Sequence, residues 1–257
     1  MDSRSRIKAA VNHETTDKVP IDFGGGFQTG IHASVVYQLR QRLGLDPPGT
    51  PVKVVDVYQM LGEIKPDLQD ALEIDTVSLH GTGTMFGFPA VEFKEWQLHD
   101  GTPLLVPVDF NTDCESNGDL LQYPEGDMSA DPSGRMPAGG FFFDAILRQE
   151  PLEETRLDPG DNMAEFKPIE DGELRHYAEK ADKLFRDTDR ALFCTFSGLT
   201  FGDIALVPAP FLKRPRGIRD IEEWYISTVI RQDYIREVFA FQARSEEHTS
   251  ELQSLLI

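Results

Sequence analysis

Asp171-Gly-Glu-Leu-Arg-His-Tyr-Ala-Glu-Lys-Ala-Asp-Lys-Leu-Phe-Arg-Asp187, followed by Arg190-Ala-Leu-Phe-Cys-Thr-Phe196, sets a helical pattern directly before an apolar run. Leu174, Tyr177, Ala178, Ala181 and Leu184 recur at helical spacing, which predicts a helix over 171–187 with one inward face. The apolar run after it predicts a buried strand, ending in the loop Ser197–Gly202. A helix feeding such a strand is the unit of a parallel sheet.

Working outward, the same alternation recurs upstream. Ser3–Asn12 reads as a helix with Ile7, Ala10 and Val11 on one side. Val19–Phe23 reads as a short buried strand stopped by Gly24-Gly-Gly26. Helices are expected over His32–Leu43, Val52–Gly62 and Pro66–Leu72, and a strand over Thr76–Leu79. Ile218–Ala243 carries two more helical segments.

Between these lies a change of character. Glu92–Asp109 alternates apolar and polar around the turn His99-Asp-Gly101, and a second hairpin is expected around Ser116-Asn-Gly118. Gly- and Pro-rich Pro124–Gly140 is expected as loop, so Ala90–Phe143 reads as a β-rich insertion. The pattern as a whole predicts an α/β fold, a (β/α)8 barrel or a doubly wound sheet.

The chain has 257 residues, with 25 Lys+Arg against 44 Asp+Glu, a net charge of −19. That excess disfavours nucleic acid and anionic membrane surfaces as partners. The uncharged stretch Ala191–Gly202 is too short to span a bilayer, and Met1–Ala10 lacks the apolar core of a signal peptide. Two cysteines, Cys114 and Cys194, make no disulfide framework, so a reducing, cytoplasmic setting is expected.

Arg244 to Ser254, RSEEHTSELQS, matches in order the translation of a common sequencing-library adapter. The natural chain is therefore expected to run only to about Ala243 here and to belong to a longer product. Removing one arginine and three glutamates from 25 and 44 leaves 24 and 41, so the charge is still −17.

Several residues carry candidate chemistry. Asp22 sits at a strand end before Gly24, Gly25 and Gly26, where a carboxylate faces a pocket and glycines admit a ligand to the backbone; a solvated turn is the plain alternative. Thr29 or Gly30 is placed to cap the next helix, which opens at His32, either a proton carrier or a surface histidine. His80-Gly-Thr-Gly-Thr84 follows a strand, where an α/β barrel keeps its site, and His80 is the best single catalytic candidate. Cys194 reads as a small core residue. Lys213-Arg-Pro-Arg216 reads as a basic turn or an oxyanion grip, and Asp144 with Arg148 as a helix pair or a site pair. No spacing typical of a complete metal site occurs.

A family resemblance appears in longer runs. Arg6–Glu14, Asp17-Lys-Val-Pro-Ile-Asp-Phe-Gly-Gly25 and Thr29-Gly-Ile31 resemble the opening of uroporphyrinogen-decarboxylase-like proteins. Val52–Leu61, Tyr123–Asp127, Pro132–Pro137, Gly140–Asp144, Gly202–Pro208 and Gly217–Tyr225 continue the likeness. It implies a (β/α)8 barrel truncated to its N-terminal half or so, with the site at the strands' carboxyl ends. Asp22, Gly24–Gly26, Thr29, His80, Ser197 and Gly198 would line that mouth.

Two activities come with the resemblance. One is cofactor-free decarboxylation of uroporphyrinogen; the other is methyl transfer between a corrinoid protein and a zinc-activated thiol. The decarboxylases carry arginines after their first strand for the substrate carboxylates, and Phe23–Gly30 has none here. Corrinoid-linked methyl transfer is therefore the expected chemistry of the full protein, with a small-molecule substrate and a corrinoid protein as partners. Zinc is implied for that chemistry, but no residue of this chain is assigned to it. Uroporphyrinogen decarboxylation and a non-catalytic binding role stand as alternatives.

Overall fold

A computed structural model of the chain describes residues 1–163, 171–195 and 204–253. In chain order these form α1 (Ser3–Val11), α2 (Ala33–Arg42), β1 (Val52–Asp56), β2 (Leu61–Gly62), α3 (Pro66–Ala71) and β3 (Thr76–His80). There follow β4 (Phe93–Gln97), β5 (Pro103–Pro107), β6 (Thr112–Cys114), β7 (Leu120–Gln122), β8 (Gly134–Met136) and β9 (Asp144–Ala145). The last are α4 (Asp171–Asp187), β10 (Ala191–Thr195), α5 (Ile221–Ile230) and α6 (Gln232–Gln253).

Among the described residues the expected (β/α)8 barrel is not present. The strands make one sheet in the order β2-β1-β5-β4, a pair β10-β3, and a sheet β6-β7-β8-β9, and none of these closes. Two local misreadings account for much of the difference. Val52–Gly62 is a strand, a turn and a second strand rather than a helix, because Val52, Val54 and Val55 are β-branched and alternate with Lys53. Val19–Phe23 belongs to no strand, although Ile21 exchanges hydrogen bonds with Asp75 just before β3.

The stretch 90–143, read as a β-rich insertion, carries strands β4 to β8. The chain divides into two compact units, one of 1–82, 90–108 and 172–195, the other of 83–89, 109–171 and 196–257. The hairpin around His99-Asp-Gly101 forms as read, with Phe93 opposite Pro107 and Gln97 opposite Pro103. Its second strand then pairs parallel with β1, Val52 against Leu104, which binds the hairpin into the first unit's main sheet. The hairpin around Ser116-Asn-Gly118 belongs to the second unit, and the expected loop 124–140 contains its third strand, β8.

In the first unit, Val54, Met60, Leu68, Leu104 and Val106 are fully buried. Apolar burial there is accompanied by ion pairs. Arg6 of α1 bonds both Asp17 and the buried Asp75. α1 thus turns Arg6 and Ala9 inward, and Val11, expected on the core side, is 72% exposed. Arg40 of α2 bridges Asp46 and Asp67 with paired contacts, which ties α2 to the start of α3.

The helix read over 171–187 forms with those bounds, with Tyr177 fully buried. β10 lies parallel to β3, Ala191 against Thr76 and Thr195 against His80. The strand is less buried than expected, since Phe193 is 40% exposed. In the second unit, Phe143 stands edge-on to Phe86 and Phe110 at 5.7 and 5.9 Å. A further cluster gathers Ile218, Trp224, Tyr234, Ile235 and Val238 on α5, α6 and the segment before them. Among the described residues, no helix is long and apolar enough to cross a membrane.

Candidate functional site

Asp22 begins a tight loop that lies on the first residue of β3. Its Oδ1 accepts from the Gly25 amide at 2.9 Å and from the Thr76 hydroxyl. A side chain at Gly25 would lie 2.5 Å from that oxygen and 2.9 Å from Thr76 Oγ1, so this close approach needs glycine. Gly24 donates to the Thr29 carbonyl at 2.8 Å, and Thr29 Oγ1 lies 3.3 Å from the Gly26 amide. These contacts spend Asp22, Gly24, Gly25, Gly26 and Thr29 on closing and seating the loop.

The loop carries Phe27 to within 6.0 Å of the His80 ring, centroid to centroid. Thr76, Ser78 and His80 alternate onto one face of β3, as strand geometry requires. His80 Nδ1 is 3.0 Å from Ser78 Oγ, and Nε2 has no protein partner among the described residues. Burial, then the positive fields of Lys180, Lys53 and His176, lower the His80 pKa to about 4. The ring is therefore neutral at pH 7, a hydrogen-bonding group and proton acceptor without charge.

Helix α4 closes the same strand end. A side chain at Gly81 would come within 2.7 Å of both Tyr177 Oη and Glu173 Oε1. Lys180 Nζ donates to the His80 carbonyl at 3.4 Å. Burial and the neighbouring Lys53 hold the Lys180 ammonium below its ordinary pKa. Cys194 lies opposite Leu79 in the β3–β10 register, and burial pushes its thiol up to about 11. Helix α4 contributes His176 and Lys180, which sequence reading did not single out; the signal was their spacing of four beside the inward Tyr177.

Other candidates fall elsewhere. Ser197 and Gly198 lie outside the described residues. His32, and neither Thr29 nor Gly30, caps α2, its Nδ1 accepting the Ser34 amide at 3.2 Å. Lys213 is held by Glu125 and Asp127 at 2.9 and 3.0 Å. Arg148 donates to the main-chain carbonyls of Leu212 and Ala209, both at 2.7 Å, so it makes no pair with Asp144. A shallow depression of about 310 Å³ in the second unit is lined by Arg135, Pro137, Asp144, Ala145 and Ile146, and of the sequence candidates it holds Asp144 alone.

No family model matches the chain, and neither a curated protein nor a solved structure matches it.

Proposed function

We propose that the carboxyl end of β3, with the loop 22–29 and helix α4, is the small-molecule site of a uroporphyrinogen-decarboxylase-like enzyme. Its reaction in the full protein is corrinoid-linked methyl transfer, and its setting the cytoplasm. The observation that carries this reading is the His80 ring, uncharged at pH 7, beside Phe27 and the Lys180 ammonium. A neutral imidazole accepts the proton that an acceptor thiol loses on methylation, and general-base help of this kind contributes roughly 10²–10⁴-fold in rate. Phe23–Gly30 has no arginine to hold the several carboxylates of uroporphyrinogen, which weighs against decarboxylation.

Zinc and a corrinoid supply the methyl-transfer chemistry when bound. Among the described residues no three His, Cys, Asp or Glu side chains converge on a metal position, and Cys194 is held as a thiol by burial. The described residues therefore offer zinc no ligand set.

The test is incubation of the full-length gene product with a methylated corrinoid protein and free thiols, followed by visible absorption of the corrinoid. Demethylation that falls about 100-fold in His80→Gln supports the reading. Release of carbon dioxide from uroporphyrinogen, or ligand binding with no turnover of either kind, overturns it in favour of a decarboxylase or a binding protein.

A further inference from the structure

Helix α4 presents Glu173, His176, Tyr177 and Lys180 at three- and four-residue spacing, one face of the helix. Lys180 is half-buried, and its one hydrogen bond among the described residues is the 3.4 Å contact to the His80 carbonyl. An ammonium carries three donors, so two are unmatched. No carboxylate of the described residues lies within ion-pair distance of it. Glu63, the acid whose field reaches it, is already matched to Lys53 at 3.8 Å. Glu173, on the same helix face, acts instead on Tyr177.

A second orphan lies on the same helix face. His176 Nε2 is buried with no hydrogen-bond partner. A buried polar atom without a partner, and an ammonium without a counter-ion, each destabilise the folded chain unless something satisfies them. The local charge defines what that is. Among the described residues Lys53 is matched by Glu63, His80 is neutral and no carboxylate pairs with Lys180, so Lys180 is left as an ammonium without a counter-ion in a chain of net −19. A single unmatched ammonium suits a monoanion. Phe27, 6.0 Å from the His80 ring, offers an apolar wall beside it.

We infer that Lys180, with His176 and His80, binds the carboxylate of a small monocarboxylic acid whose apolar body lies against Phe27. This deepens the reading of the β3 end as a small-molecule site, and names its substrate class and its specificity residue. It is independent of which reaction follows.

The probes are benzoate and inorganic phosphate, titrated into the isotope-labelled full chain and followed by NMR on the Lys180 side chain and the His80 ring. Benzoate is expected to shift both sets of signals with a dissociation constant of about a millimolar, as one charge-assisted contact and a small apolar body allow. Lys180→Gln is expected to weaken it about tenfold or more, and Lys180→Arg to keep most of it. Circular dichroism checks that each variant folds. Should Lys180→Gln not fold, the wild-type shifts and Lys180→Arg still decide the matter. The inference is overturned if benzoate shifts neither group, if Lys180→Gln binds it equally well, or if phosphate binds as tightly. Benzoate binding without methyl transfer would remove the proposed reaction and leave the binding site standing.

Discussion

Lys180 reaches across from helix α4 to the main-chain carbonyl of His80, 3.4 Å away, so the strand end and the helix share one cation. That cation helps to set the behaviour of the histidine whose carbonyl it holds. His80 feels burial first and Lys180 next, and both disfavour its protonation.

An NMR pH titration of the imidazole carbons will show His80 unchanged from pH 8 to pH 5, with its midpoint at about 4. The sign for stability follows. The unfolded histidine takes up a proton near pH 6.5 and the folded one does not, so stability falls as pH drops from about 6.5 towards 4. In His80→Gln that part of the pH dependence of the urea midpoint will be flat. A midpoint near the free value of 6.5 would mean that the ring is not buried as described.

Below that range the carboxylates take over. Asp127 is held down to about 2 by hydrogen bonds from Ser129 and by Lys213. Burial alone would raise Asp75, but the Ile21 amide, Ser3 and Arg6 keep it below the ordinary carboxylate range. Depressed carboxyl groups add stability above their unfolded pKa of 3.8 and lose it as pH falls through the folded value. Urea midpoints measured from pH 4 to pH 2 will therefore fall again, and Asp127→Asn will shallow that limb.

The two thiols will separate by reactivity. Cys114 is exposed and Cys194 is pushed up to about 11 by burial. A rise from the ordinary 9.0 to about 11 cuts the thiolate fraction at pH 8 about 100-fold. A colorimetric disulfide reagent will titrate one thiol rapidly and the other on unfolding. Rapid loss of both, with Cys114→Ser leaving one fast thiol, would contradict this placement.

Phe143 fills the space between Phe86 and Phe110 with no solvent exposure. Phe143→Ala will cost about 3–5 kcal/mol by chemical denaturation of the second unit. Hydrogen exchange will show the loss on β6–β9 while the amides of β1 and β5 keep their protection. A cost under about 1 kcal/mol would mean that the ring cluster is not packed as described.

Legibility in the sequence followed the range of the forces involved. Helices α1, α2, α3 and α4 were readable because caps and apolar spacing are local, as at Asp2, whose side chain accepts the Ser5 amide at 2.7 Å. The hairpins at Asp100-Gly101 and Asn117-Gly118 were readable because their turns demand particular residues. The parallel contact of Val52 with Leu104 leaves no local trace, and β1 reads as helix in the sequence. At the site, His80 stood out by its place after a strand. Lys180 did not, since what distinguishes it is the acid it lacks, and that is a property of three dimensions.

The first unit is assembled from three separated stretches of chain, and this sets an order in time. Thr76 and its partner Ala191 are 115 residues apart. At roughly 5–20 residues per second on the ribosome, β3 waits about 6–23 s for β10 to be synthesised. For that interval its main-chain edge is open to any other nascent strand, which is where misassembly begins. Expression at low temperature lengthens the wait, whereas a chaperone that shields extended segments covers it. The yield of folded protein is thus expected to depend more on chaperone supply than on the final stability of the fold.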